Sequence, residues 1–242
     1  GVGLRLANNH IHDAPHCAIL IAGNEHLVER NHIHDVCLDT GDVGAFYIGR
    51  DYSMRGNVVR HNLFHDLGGI DEDSSAIYID DCASGMLIQG NVIYRCFRGM
   101  LLGGGVDNVV DNNVLVACKV GIHIDGRGMV EGEIWRNMVY QTMKDRLEAM
   151  NYLEPPYSER YPELAKLKAY LDKPDGVPPF GTKVTRNIAA DCETWLDIRW
   201  GAEESMLETV ADNFADRDPD FVDPEHDDFS LAPDSPALAV GF

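Results

Sequence analysis

Three short stretches of this chain concentrate groups that could move protons: YIGRD at 47–51, YIDD at 78–81 and HIDGR at 123–127. Asp51, Asp80, Asp81 and Asp125 are the candidate acids and bases. Tyr47, Arg50, Tyr78, His123 and Arg127 are the candidate groups around a substrate. An arginine beside an aspartate favours the ionised carboxylate, whereas a second carboxylate opposes it. A mixed group of this kind can separate an acid from a base. Asp42 lies in the loop before the first stretch and joins the group only if that loop folds back. The competing reading is an outer-surface cluster of ion pairs contributing little.

For these residues to meet, the chain must bring distant segments into register, and it carries a repeat that can do so. Asn9, Asn31, Asn62, Asn91, Asn113, Asn137 and Asn187 are each followed closely by apolar residues, at gaps of 22, 31, 29, 22, 24 and 50 residues. A period in this range marks a solenoid. Each unit reads as short strands and turns, which predicts an all-β, right-handed parallel β-helix as a single domain over residues 1–242. Stacking of Asn31, Asn62, Asn91 and Asn113 at one turn follows, since Asn tolerates left-handed turns and its amide can bond along a stack.

A second column of strands aligns as AILIAG (18–23), AFYIGR (45–50), AIYIDD (76–81), GMLLGG (99–104) and GIHIDG (121–126). Successive side chains of a strand point to opposite faces. Ile19/Ile21, Phe46/Ile48, Ile77/Ile79, Met100/Leu102 and Ile122/Ile124 are therefore assigned to the core. Leu20, Tyr47, Tyr78, Leu101 and His123 point out, followed by Ala22, Gly49, Asp80, Gly103 and Asp125. Glycines on either side of Asp80 would leave open space for a ligand. Asp80 and Asp125 sit two rungs apart, with Cα atoms roughly 9–10 Å apart at the usual strand spacing. Inverting glycosidases separate their carboxyl groups by about 6.5–9.5 Å.

The loops CLDTGDVG and LGGIDEDSS lengthen two rungs, and long loops on a rigid repeat commonly build sites. Residues 143–175 break the repeat. Leu164, Leu167 and Leu171 have helical spacing there, with Ser158 as an N-cap, so a helical excursion packed on the coil is expected. The repeat resumes at TKVTRNIAADC, and the Pro- and Asp-rich tail reads as loop plus terminal strands. His10, His12 and Asp13, His32, His34 and Asp35, and His65 and Asp66 recur at equivalent rung positions. They read as stacked turn residues, because a metal needs three or more converging ligands, which spacing alone does not show.

A net charge of −20 argues against nucleic acid as a partner. No run of 18 apolar residues is present, so no membrane-spanning helix is expected. Cys96, Cys118 and Cys192 each fall five residues after a ladder Asn and read as small core residues; no spacing resembles a zinc motif. The glycines at 103–105 lack a Walker lysine, and no nucleophile-elbow serine is found. The start at Gly1, inside a rung-like segment, reads as a fragment of a longer chain.

The segments GDVGAFYIGRDYSMRGNVVRHNLFHDLGG, AIYIDDCASGMLIQGNVIYRCFRGMLLGGG, DNVVDNNVLVACKVGIHIDGRG, PPYSERYPEL and DPDFVDP…FSLAPDSPA resemble the bacterial right-handed parallel β-helix carbohydrate-active proteins, most closely those similar to glycoside hydrolase family 141. The resemblance covers almost the whole chain. It implies a poly- or oligosaccharide substrate, aspartate catalysts and a secreted or periplasmic protein, without assigning which Asp does what. No cofactor is required on this reading, and Ca²⁺ is a candidate ion. The rival expectations are a polysaccharide lyase acting on a uronate, with Arg50 or Arg127 as base and Ca²⁺ in the acidic loops, and a non-catalytic glycan-binding solenoid. The oligomeric state is left open.

Overall fold

The structure is a computed structural model that describes residues 1–69, 73–129 and 132–241. Ile70, Asp71 and Glu72 of the LGGIDEDSS loop lie outside the described residues. Short strands stack into three parallel sheets that wind as one coil. The first sheet joins seven strands from Arg5–Ala7 to Thr209–Ala211, and the second joins seven from His10–Ile11 to Phe214–Ala215. The third runs from Ile19–Leu20 through Val43–Gly49, Ser74–Asp80, Arg98–Gly103 and Val120–Asp125 to Thr194–Arg199.

The register of the third sheet is the one expected from the aligned repeats. Phe46 pairs with Ile77, Tyr47 with Tyr78, Gly49 with Asp80, Leu101 with His123 and Gly103 with Asp125. Phe46, Ile48, Ile77, Ile79, Met100, Leu102, Ile122 and Ile124 fill the interior, all essentially inaccessible. Full burial of one such side chain contributes about 1.5–3 kcal/mol, and the stack makes the core continuous from rung to rung.

The asparagine ladder runs along the corner between the first and second sheets. Each amide nitrogen donates to the next Oδ1, from Asn9 through Asn31, Asn62, Asn91, Asn113 and Asn187 to Asn213. Two details differ from expectation. Asn137 is not a member, because it ends the helix Glu133–Asn137, and Asn213 takes the next place after Asn187. The left-handed residue is also not the ladder Asn but the one before it: Asn8, Arg30, His61, Gly90, Asn112, Arg186 and Asp212 all have positive φ. One left-handed residue turns the chain through the corner, and the following Asn then satisfies the neighbouring rung's backbone N–H.

The helical excursion begins at Glu133, ten residues earlier than the sequence pattern indicated, and its last helix is Leu167–Leu171. Leu164, Leu167 and Leu171 are buried as their spacing required. Ser158 is not an N-cap; it lies inside the helix Tyr157–Arg160, which Pro156 precedes. The excursion shares an apolar cluster with Tyr52, Cys82, Val106 and Val177 at the turns of the coil. The buried guanidinium of Arg55 ties the same turns together, bonding Asp107 at 2.9 Å and facing Glu163 of the excursion at 3.8 Å. The tail pairs Phe221–Asp223 with Asp228–Leu231 antiparallel and lays Phe221 and Phe229 over Tyr94 on the second sheet's outer face. All six cysteines are free.

Candidate active site

The third sheet's strands deliver their outward residues to a corner where the chain turns back toward the first sheet. Arg50, Asp81, Gly104 and Trp200 have positive φ at this corner. An L-residue other than Asn or Asp rarely adopts that region, so Arg50 and Trp200 are held there by their surroundings. The excursion leaves the coil just after this corner and returns over it. Between the two lies a cleft of about 470 Å³, lined by Asp42, Asp80, Asp81, Asp125, Arg127 and Trp135 among others.

Arg127 organises the floor. Its Nη1 donates to Asp80 Oδ1 and, at 3.0 Å, to Asp81 Oδ1. Its Nη2 donates to Asp125 Oδ2 at 2.7 Å. Its backbone N–H and Nε both reach Asp125 Oδ1 at 3.0 Å. The four side chains are all at least nine-tenths buried. Removing them from water is costly, and it is repaid only because nearly every oxygen has a charged donor. Tyr47 donates its hydroxyl to the second oxygen of Asp80 at 2.6 Å, and Arg50 Nε donates to the second oxygen of Asp81 at 2.6 Å.

The electrostatics follow. Burial alone would raise the Asp125 carboxyl, but the nearby His123 imidazole and the hydrogen bonds and charge of Arg127 outweigh it and hold it below the ordinary carboxylate value. Burial would weaken the Arg127 charge, but Asp125 and its neighbours lift that guanidinium above its usual range. Burial raises the Tyr47 hydroxyl, and its hydrogen bond to the Asp80 carboxylate raises it further. Tyr47 therefore stays a donor throughout the ordinary pH range.

Of the expected residues, Asp80, Asp81, Asp125, Tyr47, Arg50 and Arg127 converge on one network. The space beside Asp80 is not open as the glycine column implied. A Cβ on Gly103 would fall 2.6 Å from the Arg127 guanidinium carbon, and one on Gly49 would fall 3.2 Å from Asp80 Cβ and from the Tyr47 hydroxyl. The glycines make room for the ion-pair network rather than for a ligand. The separation expected between Asp80 and Asp125 is spanned by Arg127. Asp51 is not part of the network; it accepts the backbone N–H and hydroxyl of Ser53 two residues on, because that loop needs its own cap. Tyr78 lines the cleft but is only 4% exposed, so it cannot offer a ring face for stacking. Its hydroxyl donates to Asp42 at 2.9 Å. The Asp42 loop thus does fold back, and Asp42 is the exposed carboxylate of the group.

His123 hydrogen-bonds Asp197 at 2.8 Å through Nδ1, with its Nε2 3.7 Å from Asp125. Asp197 in turn accepts from Arg199 Nε at 2.6 Å. These two residues, with Trp135, Trp200, Asp73 and Arg98, were missed from the sequence. For Asp197, Arg199 and Trp200 a signal existed: TWLDIRW is the next copy of VGIHIDG, displaced 74 residues by the excursion, and His123 pairs with Asp197 and Asp125 with Arg199. Trp135 comes from the excursion, where no periodicity could locate it. The two tryptophan rings lie 6.3 Å apart with the Arg127 guanidinium carbon 5.4 and 5.8 Å from their centroids.

The arrangement can do two things. Trp200, half exposed, and Trp135 present apolar faces to a ring-shaped ligand. Beside them stand the Asp80 carboxyl, fixed by Arg127 and Tyr47, and the solvent-facing one of Asp42.

A family model for the right-handed β-helix region matches residues 1–145, more than half of the chain. The chain belongs to that right-handed β-helix family, and the parallel sheets are its coil. No curated protein and no solved structure matches it.

Proposed function

We propose that the cleft at the third-sheet corner binds a poly- or oligosaccharide and hydrolyses it, as in glycoside hydrolases. The observation that carries this reading is the meeting of buried and exposed aspartates with tryptophan faces in one cleft. Asp80, held in place by hydrogen bonds from Arg127 and Tyr47, serves as base or nucleophile, and Asp42, which bonds Tyr78 alone among the described residues, protonates the leaving oxygen. Asp81 and Asp125 hold Arg127 in place and act through it. No metal enters this scheme. The protein would meet its glycan outside the cytoplasm, in keeping with the resemblance to secreted carbohydrate-active proteins.

One observation favours a second reading. Arg50, Arg98, Arg127 and Arg199 all border the cleft and could neutralise a sugar carboxylate. That would suit a lyase on a uronate-containing glycan. The deciding experiment is a polysaccharide panel assayed in parallel for new reducing ends and for ultraviolet absorbance of unsaturated product. Reducing ends without absorbance support hydrolysis, and absorbance supports elimination. Binding without turnover on every glycan would leave a glycan-binding solenoid.

A further inference from the structure

The outward face of the second sheet carries a row of imidazoles that the cleft does not use. His10 pairs in register with His32, and His34 with His65. Ile11 and Ile33 between them point inward. His10 and His32 rings stack with centroids 4.7 Å apart, and those of His34 and His65 at 4.9 Å. Further along the coil the same face is covered by the C-terminal tail at Tyr94, Val114 and Val116, but at His10 it is open to solvent.

Turn geometry accounts for the aspartates of this row but not for the histidines. Asp13, Asp35 and Asp66 sit in the left-handed corner after the strand, as stacked turn residues should. The histidines converge. The nearest ligand atoms of His10, His32 and His34 all lie within 4.8 Å of one another, and they are the one such metal-sized group among the described residues. Nε2 of His10 is 2.7 Å from Nε2 of His34.

The proton bookkeeping selects what this group can bind. Nδ1 of His34 lies 2.6 Å from Asp35 Oδ2, and a carboxylate only accepts. The neutral ring therefore carries its proton on Nδ1 and leaves a lone pair on Nε2, which faces His10. A carboxylate on the far nitrogen is the usual support of a metal-bound histidine, since it fixes the tautomer and raises ligand basicity. His12 and His65 bond Asp13 and Asp66 in the same way, each at 2.6 Å.

We propose that His10, His32 and His34 form a binding site for a late first-row divalent metal ion, Zn²⁺ or Cu²⁺, on the outer face of the second sheet. Three imidazole nitrogens suit these ions and not Ca²⁺, which takes oxygen ligands. Tetrahedral ligands at about 2.0–2.1 Å from the ion lie about 3.4 Å apart. The 2.7 Å pair must open slightly and the widest pair must close by at most about 1.4 Å, which side-chain rotation at a solvent-facing surface permits. Three protein ligands leave the fourth position to water or to an incoming group. The ion would also tie the His10 rung to the His32 rung.

The test is calorimetric titration of the full chain with ZnCl₂ and, separately, CaCl₂, with Cu²⁺ electron paramagnetic resonance as the second readout. One equivalent of Zn²⁺ should bind with micromolar or tighter affinity, and the Cu²⁺ signal should show nitrogen couplings. His10→Ala, at an exposed position where folding is not at risk, should weaken Zn²⁺ binding at least tenfold. Asp35→Asn keeps a side chain that tolerates the left-handed corner and should weaken it about 10–100-fold. His226→Ala, whose imidazole bonds Asp223 and not the row, should change nothing. Absence of Zn²⁺ uptake, or equal affinity in His10→Ala and the parent, would overturn the site. A fall in melting temperature in His34→Ala with unchanged metal uptake would show that the row only stacks.

Discussion

The corner between the first and second sheets and the corner after the third sheet solve the same problem with opposite materials. Both turn the chain with left-handed residues, one before each ladder Asn at the first and one or two on several rungs at the second. At the first, each rung contributes a neutral Asn whose amide is satisfied by identical residues on either side. At the second, charges replace amides, and their partners come from different rungs: Asp80 and Asp81 from one, Arg127 from two rungs on, Arg50 from the rung before. The neutral corner is self-contained and can repeat indefinitely. The charged corner cannot repeat, since one guanidinium, that of Arg127, serves three carboxylates from two rungs, and there the excursion leaves the coil and the cleft opens. Regularity serves the scaffold, and function is sought where the regularity is given up.

The largest effect should come from the charged corner's chemistry. Asp80→Asn keeps size but removes the ionisable group, and general acid–base catalysis typically contributes about 10²–10⁴-fold. Turnover on whichever glycan the parent cleaves should fall by at least that factor, with the far-UV spectrum unchanged. Near-parental turnover would take the chemistry out of this corner. Asp42→Asn should fall comparably if Asp42 is the acid, and its loss should be relieved by substrates with good leaving groups, whereas that of Asp80→Asn should not.

Next comes the stability of the two corners. Arg127→Leu would strand three buried carboxylates, and breaking a buried ion pair from one side typically costs about 3–5 kcal/mol. Urea unfolding should register that loss. A cost below about 1 kcal/mol would mean that the carboxylates do not depend on Arg127. Asn91→Ala breaks one step of the ladder on each side and leaves backbone groups without their partner, at about 1–3 kcal/mol. Asn9→Ala, whose one ladder partner among the described residues is Asn31, should cost less than Asn91→Ala. Equal costs would deny that the ladder is satisfied from both sides.

The smallest difference is in pH response. The Asp125 carboxyl sits below its ordinary value of 3.8 in the folded protein. Folding therefore gains stability from it that is fully present above about pH 4 and is withdrawn as pH falls through the lower folded value. Asp197 contributes in the same direction, being held down by Arg199 and His123 against the effect of burial. Asp125→Asn should flatten the acid limb of the stability curve, and Asn91→Ala should shift the whole curve without changing its shape. An unaltered acid limb in Asp125→Asn would remove that carboxylate from the linkage.

The coil, its inward residues and the meeting of Asp80, Asp81, Asp125, Arg50 and Tyr47 were legible from the chain because a solenoid converts sequence period directly into spatial register. Equivalent residues of successive rungs are neighbours by construction, so Tyr47 meets Tyr78 and Gly49 meets Asp80 without any knowledge of the rest. Asp51 was misplaced because register fixes a column of backbone positions and not the rotamer, and a local cap on Ser53 competed successfully for its carboxylate. Trp135 and the cleft wall depended on how the excursion folds back, which no period encodes. The same limit applies to Arg127. Its column was readable, but that it would span Asp80, Asp81 and Asp125 together, filling the space two glycines left, was decided by long-range charge pairing within a dry corner, where a guanidinium must find every acceptor in reach.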